Sequence, residues 1–258
     1  MEDKSAQDGI TLHNKQAQLF RNRYLIFNKD PYLSTFTYGR KKIDEILYKY
    51  LVKYSPPREV LDIGCGTGYT LKALKAQGYH CTGVDGAEEM VKIAIQENPD
   101  IPILHSDATH LPLQDEAYDI IIAIELLRYI PDRIRAIQEM FRVLKKGGIC
   151  FVTVAPLLST HGYAGFNFLN SKLMLPGFSN LRQYFETTHS ITKKFKIAGF
   201  NDIKVEACFY GPFLWLGKIL PKNMFAKILR IYEPIDDFFS RFPFLRNFAN
   251  HMIVIATK

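Results

Sequence analysis

Short apolar runs alternate with amphipathic stretches through the middle of the chain. The runs predict strands over 59–63, 80–85, 102–105, 118–124 and 149–155. Between them, apolar positions at helical spacing predict helices over 68–77, 87–97 and 131–145. This alternation is typical of a parallel sheet with right-handed crossovers and helices on both faces. The run IIIAI at 120–124 is apolar throughout, as a central buried strand would be.

The two flanks of this region have other patterns. Residues 11–54 are expected to be helical as far as the Ser55-Pro56-Pro57 stop. On the C-terminal side we expect a helix over 190–198 and strands over 202–209 and 251–257.

Two segments, 156–189 and 211–249, interrupt the alternation and are rich in Phe, Leu, Tyr, Gly and Pro. Both leave the sheet near the edge where such folds bind ligands, so we interpret them as substrate lids. The predicted organisation is an N-terminal helical cap (1–54), a cofactor-binding core (55–155), a lid insertion (156–189) and the C-terminal part of the sheet (190–258), which includes the helical lid at 211–249.

The stretch VLDIGCGTG at 60–68 carries the most specific motif of the chain. A predicted strand leads into three glycines and then into a helix, so the backbone can approach a ligand closely and the helix amides point at it. The spacing is GxGxG, with Tyr69 where a dinucleotide fingerprint would have its third glycine. A pyrophosphate ligand is therefore disfavoured, and with it a nicotinamide-dependent dehydrogenase.

This motif resembles the first motif of class I S-adenosylmethionine (SAM)-dependent methyltransferases, of the small-molecule, type 11-like kind. Further matches follow in register at 81–90 (CTGVDGAEEM), 103–113, 118–132 and 141–154. The resemblance covers roughly residues 55–155. It implies a Rossmann-like α/β fold with a seven-stranded, mostly parallel sheet, an antiparallel last strand and helical lid insertions. It also implies SAM as the cofactor, with no metal.

The resemblance assigns the parts of the cofactor to particular residues. Asp85, about twenty residues past the glycine loop, would accept from both ribose hydroxyls, with a helix N-cap as the competing role. Asp107 and the Ala108 amide would contact the adenine, unless Asp107 is a turn aspartate. Asp62 would hold the methionine amino group, and Arg40 would pair with the carboxylate or remain a solvated surface arginine. The other predicted cofactor contacts are Gly64, Cys65, Gly66, Gly68, Gly86, Met90 and Glu125.

Few residues qualify for a chemical role beyond aligning the acceptor with the activated methyl group. A base is needed only if the acceptor atom must lose a proton. After the fourth strand the chain reads ELLRYIPD, and Arg128 and Tyr129 stand where related enzymes often carry histidine or an acid. The candidates are therefore Tyr129, His161 in the first lid and His189 before the following helix, although a loop histidine is more often a capping or surface residue.

Composition is that of a globular protein of 258 residues, without an uninterrupted apolar run long enough to span a bilayer. MEDKSAQDGI lacks an apolar signal region, which favours a cytoplasmic location. Residues 55–155 hold 10 Lys or Arg against 14 Asp or Glu, whereas the rest holds 23 against 12. The excess of basic residues outside 55–155 favours an anionic substrate or an anionic surface as the partner. The alternative is that these residues only keep the aromatic-rich lids soluble.

The segment 212–249 mixes Trp, Phe and Leu with scattered Lys and Arg. An amphipathic helix of this composition can lie peripherally on a membrane, cover a lipophilic substrate or pack over the sheet edge. The sequence leaves these alternatives open.

We therefore expect an enzyme that transfers a methyl group from SAM to an O, N or C atom of a small or lipid- or glycan-linked metabolite. The first alternative is a nucleic-acid (RNA) methyltransferase, but the (D/N)PPY-type motif of base-amine methylation is replaced here by ELLR, so no nucleic-acid partner is expected. The second is a SAM-binding regulatory module without catalysis. The acceptor and the oligomeric state are not determined by the sequence.

Overall fold

A mixed β-sheet runs through the centre of the computed structural model, which describes residues 4–173 and 182–258. Within these residues the sheet has seven strands: β1 (Glu59–Ile63), β2 (His80–Asp85), β3 (Ile103–His105), β4 (Tyr118–Ala123), β5 (Leu144–Val154), β6 (Asp202–Cys208) and β7 (His251–Thr257). Their order is β3-β2-β1-β4-β5-β7-β6. β7 is antiparallel to both of its neighbours, and the other pairs are parallel. The predicted Rossmann-like α/β fold with an antiparallel last strand is confirmed.

The α-helices of the described residues lie between and around the strands. They are α1 (Lys4–Lys29), α2 (Thr35–Leu51), α3 (Tyr69–Lys75), α4 (Glu88–Glu97), α5 (Arg133–Val143), α6 (Tyr163–Leu173), α7 (Thr188–Ala198), α8 (Phe213–Ile219) and α9 (Lys222–Ser240). Short 3-10 helices span Leu127–Tyr129 and Pro243–Phe248. None of the helices in the described part of the chain is long and apolar enough to cross a membrane.

Both faces of the sheet are covered, which explains the unbroken apolar run of β4. Ile121 packs in a cluster with residues of α5 and α7 on one face. Ile120 and Ile122 pack with residues of α2 and α3 on the other. Because side chains of a strand alternate between faces, a strand buried on both sides needs apolar residues at every position.

The predicted helix over 11–54 is instead two helices, and the boundary has a local cause. Pro31 lies in the break, and the Asp30 carboxylate accepts a hydrogen bond from the Tyr32 amide at 3.0 Å. Ser34 then begins α2 with a capping box that involves Thr37. The break lets α1 pack against α4 while α2 lies against the sheet.

The predicted helix over 131–145 ends early, at Val143, and β5 begins at once. The register between β4 and β5 shifts between the pairs Tyr118–Leu144 and Ile120–Ile149. Gly147 takes a left-handed conformation there, at φ 75°. Gly147 and Gly148, which precede the predicted strand over 149–155, therefore lie inside β5 and within this irregularity.

The two predicted lid segments contain helices, α6 in the first and α8 and α9 in the second. Residues 174–181 of the first lid and 1–3 of the cap lie outside the described residues. The four cysteines are buried and unpaired.

Candidate active site

A cavity of about 390 Å³ lies at the carboxyl edge of the parallel strands. The strand order reverses between β1 and β4, which is where open α/β sheets bind ligands. Its walls come from α1, α2, the loops after β1 to β6, the starts of α6 and α8, and the first residue of β7. Most of the residues predicted for the site line it: Arg40, Asp62, Gly64, Cys65, Gly66, Asp85, Gly86, Met90, Asp107, Ala108, Glu125, Tyr129 and His161.

The glycine loop forms a concave wall of this cavity. Gly64 and Gly66 have φ of 74° and 55°, a conformation that other residues rarely adopt. A Cβ added to Gly66 would meet no atom within 4 Å, so the bare backbone faces open space. Gly68 does not line the cavity; it caps α3, and a Cβ there would lie 2.4 Å from Asn98 Nδ2.

Asp85 fixes the loop from the end of β2. Its Oδ2 accepts a hydrogen bond from the Gly66 amide and its Oδ1 accepts one from the Ala87 amide, both at 2.8 Å. Burial raises the pKa of the Asp85 carboxyl, while the hydrogen bonds from the Ala87 and Gly66 amides lower it. Each carboxylate oxygen can accept more than one hydrogen bond. Both oxygens of Asp85 can therefore accept a further hydrogen bond from a hydroxyl group of a ligand in the cavity.

A buried pair of opposite charges lies beneath the loop. Arg40 donates hydrogen bonds to Asp44 Oδ1 and to Thr70 Oγ1, each at 2.8 Å. The Thr70 side chain also forms a hydrogen bond with the Asp62 carboxyl group. Burial raises the pKa of Asp62 to about 7; Arg40 opposes the shift and Asp85 adds to it. Arg40 is therefore not a surface arginine: it is 6% exposed and faces the cavity beside a carboxyl group.

Residues of α1, α4 and the loops after β2 and β3 form the far wall. Met90 and Ala108 are buried there, and Asp107 is exposed, with its Oδ1 accepting from the Thr109 amide at 2.8 Å. The turn role that was the alternative for Asp107 is thus present, and Asp107 also lines the cavity. Ile10 of α1 lies across from Gly86.

The opposite end of the cavity contains a charged network. Arg128 donates to Glu125 Oε2 at 2.6 Å, and Nδ1 of His251 lies 3.1 Å from Glu125 Oε1. Burial raises the pKa of Glu125, but the charge of Arg128 and the hydrogen bond with His251 outweigh it and hold that pKa well below its usual range. Glu125 takes φ of 58°, a strained conformation for a side chain of its size. Its amide donates to Thr153 Oγ1.

Two of the three predicted catalytic residues line the cavity, and the third lies at the surface. Tyr129 lines the cavity and contacts His13 edge-on, with 4.7 Å between ring centroids. His161 also lines it, but burial and the neighbouring His251 lower the pKa of His161 to about 3. Its Nε2 is buried and has no partner among the described residues. His189 is exposed on α7 and does not line the cavity, so the catalytic role predicted for it is not carried further.

Comparison with known proteins matches this arrangement to a family. Residues 61–152 match a family model described as "Methyltransferase domain". The demethylmenaquinone methyltransferase of Staphylococcus haemolyticus is 31% identical over 171 residues, which cover 58% of this chain and 71% of that protein. This chain belongs to the SAM-dependent methyltransferases. The enzyme of the same description from Staphylococcus aureus is 30% identical over 171 residues, covering 58% and 70%.

Solved methyltransferase structures share the fold. A SAM-dependent methyltransferase from Thermotoga maritima has a TM-score of 0.59 at 20% identity, covering 95% of this chain and 97% of that one. The Haemonchus contortus phosphoethanolamine N-methyltransferase 2, in complex with S-adenosylhomocysteine (SAH), has a TM-score of 0.55 at 19% identity, covering 81% and 51%. The cofactor of this methyltransferase is SAM. The open cradle at Gly66 and the buried Arg40–Asp62 pair fit a ligand with a zwitterionic tail.

His251 lines the cavity of this methyltransferase but is not among the residues that the sequence predicted for the site. In the sequence it is the first residue of the predicted strand over 251–257, which is otherwise largely apolar. Since β7 is antiparallel, its first residue lies at the same edge as the carboxyl ends of the parallel strands. A polar residue at the start of a strand expected to be antiparallel is the feature that could have identified it.

Proposed function

We propose that this methyltransferase transfers the methyl group of SAM to an O, N or C atom of a small, largely apolar or lipid-linked metabolite bound in the same cavity. The observation that carries the proposal is that one chamber joins the glycine loop to an end lined by Tyr129, Tyr163, Phe185, Phe209 and two histidines. When bound, SAM supplies an electrophilic methyl group. The protein then has to align the acceptor and exclude water.

The cofactor contacts that we propose follow the charge of the site. Asp85 accepts from the ribose hydroxyls, with its geometry fixed by the Gly66 and Ala87 amides. Arg40 pairs with the tail carboxylate and Asp62 with the tail ammonium. The remaining proposed contacts are Gly64, Cys65 and Gly66 at the tail and sulfonium, and Gly86, Met90, Asp107 and Ala108 at the nucleoside.

At the acceptor end we propose His251 as the group that receives a proton when the acceptor must lose one. The ionised Glu125 can only accept a hydrogen bond, so the proton of a neutral His251 ring resides on Nδ1 and Nε2 keeps its lone pair. His161 is a weaker candidate, because a group with a pKa of about 3 holds a proton poorly at neutral pH. We assign Tyr129 and His161 to the wall that orients the acceptor.

The relatives named demethylmenaquinone methyltransferase make a reduced quinone with a lipid tail the first acceptor to test. The experiment incubates the chain with methyl-labelled SAM and either reduced demethylmenaquinone or phosphoethanolamine. We expect label in the apolar product. Label found only in the polar product would refute the proposal. It would also be refuted if a chain that binds SAH transferred no label to either acceptor or to a bacterial lipid extract.

Cofactor binding is tested separately by calorimetry with SAH. Asp85→Ala and Asp85→Asn should weaken binding by about tenfold or more, since a hydrogen bond to a charged group contributes about 1.5–3 kcal/mol. Asp100→Ala, at a carboxylate that is 82% exposed, is the matched control. Equal affinity in the Asp85 variants and the control would remove Asp85 from the proposed site.

A further inference from the structure

One face of α9 exposes an apolar stripe to solvent. Met224, Ile231, Ile235 and Phe238 are all exposed, and Ile231 reaches 77%. Their separations of seven, four and three residues place them in one row along the helix. The opposite face packs Phe225 and Leu229 into the protein. The helix is thus anchored on one side and apolar on the other.

The acidic residues of α9 point away from this stripe. Glu233 forms ion pairs with Lys41 and Lys42 of α2, and Asp237 pairs with Lys42 at 2.5 Å. Asp236 is buried and accepts from the Tyr38 hydroxyl at 2.9 Å. The negative charge of the helix is therefore neutralised on its inner side.

The basic residues beside the stripe face solvent. Lys227 and Arg241 are exposed, and among the described residues neither has an acidic partner. Lys227 is three residues after Met224, and Arg241 is three residues after Phe238, so both adjoin the row. An apolar row with cations at its margin is complementary to a surface that is apolar inside and negative outside.

Exposed apolar side chains continue on the neighbouring elements. Trp215 and Ile219 of α8 are exposed, as is Phe244 of the 3-10 helix after α9. Leu214, next to Trp215, lines the cavity. A smaller hollow of about 240 Å³ borders the cavity at Arg23, Thr35 and Phe36 and is also lined by Lys222. The surface therefore adjoins the wall of the site.

We infer that this α8–α9 surface binds the face of an anionic lipid bilayer. Contiguous exposed apolar area marks an interaction site, and apolar side chains flanked by Lys and Arg are the composition of interfacial helices. Apolar residues enter the boundary between headgroups and acyl chains, and the cations lie among the lipid phosphates. The inference goes beyond the proposed reaction and does not depend on it.

The test is flotation of the full chain with vesicles of phosphatidylglycerol and phosphatidylcholine in equal parts, compared with pure phosphatidylcholine. We expect binding to the mixed vesicles that falls with added salt, because surface charges are screened. Lys227→Gln and Arg241→Gln should each weaken it by about fivefold. Ile231→Glu with Ile235→Glu should weaken it by about tenfold or more.

Ile95→Glu on α4 is the matched control, because Ile95 and Ile235 are equally exposed, at 47%. Retained SAH binding shows that each variant is folded, and the two basic-residue variants provide a second route if the glutamate variants are not. The inference would be overturned if the chain did not float with the mixed vesicles or bound neutral vesicles equally well. It would also be overturned by an equal loss of binding in the Ile95→Glu control, or by light scattering that shows self-association through this stripe.

Discussion

Nδ1 of His251 lies 3.1 Å from Oε1 of Glu125, which joins the start of β7 to the loop after β4. Arg128 holds the other carboxylate oxygen at 2.6 Å. The charge of Arg128 and the hydrogen bond with His251 keep Glu125 ionised, so Glu125 fixes both the position and the tautomer of the His251 ring. We propose that this contact marks the acceptor end of the cavity, and that the glycine loop marks the cofactor end.

Glu125→Gln should separate these two ends. The substitution removes the charge that orients His251 and leaves the glycine loop intact, so we expect SAH affinity within about twofold of the original. Single-turnover methyl transfer at saturating SAM should fall about 100-fold if the acceptor loses a proton. The opposite result, weaker SAH binding with unchanged transfer, would return Glu125 to the cofactor contact that its sequence position suggested.

Gly39→Ala tests the packing of His251 from the α2 side. An alanine would gain up to about 1 kcal/mol of helix propensity, but its Cβ would lie 2.6 Å from His251 Nε2. Either the ring or α2 must shift, which disturbs the contact between His251 and Glu125, so methyl transfer should fall while thermal stability gains nothing. Gly165→Ala in α6 is the control, since a Cβ there meets nothing within 4 Å; it should leave transfer unchanged.

The pKa of Asp62 predicts a pH dependence of cofactor binding. With a pKa of about 7 the carboxyl is neutral below that pH in the ligand-free protein, whereas pairing with an ammonium group requires the carboxylate. SAH affinity should therefore fall below pH 7 by up to about tenfold per pH unit, and binding should release a proton.

Calorimetry in buffers of different ionisation enthalpy measures that proton release. Asp62→Asn should bind more weakly and lose the pH dependence between pH 6 and 8. A constant affinity of the unmodified chain across this range would contradict the assignment of Asp62 to the ammonium group.

Arg40→Gln should affect only ligands that carry the amino-acid tail. Loss of a charged hydrogen bond predicts SAH binding weaker by about ten- to 100-fold, with little change for 5′-methylthioadenosine, which lacks the tail. Arg40→Lys keeps the charge beside Asp62 but not the planar donor set, so it should lie between the two. Equal losses for both ligands would mean that Arg40 supports the fold of the pocket rather than the tail.

Local patterns in the sequence determined most of the fold. Strand and helix periodicities are properties of a few consecutive residues, so β1, β2, β4 and α4 were predicted to within about two residues. The glycine motif is local as well, since three closely spaced residues with positive φ set the shape of the loop. These patterns predict the α/β class, and the resemblance of the glycine motif and four further motifs to class I methyltransferases implied the family and the cofactor.

The tertiary structure decided which side chains meet. His251 reaches Glu125 only because β7 runs antiparallel beside β5, which returns a late residue to the edge where β4 ends. His189, equally visible in the sequence, is carried to the surface of α7. Likewise the sequence contains the charges of α9, but the packing of α9 on α2 turns the acidic residues inward and leaves the cations with the apolar stripe. Such contacts depend on strand order, strand direction and helix packing, which join residues far apart in the chain and leave no trace in local periodicity.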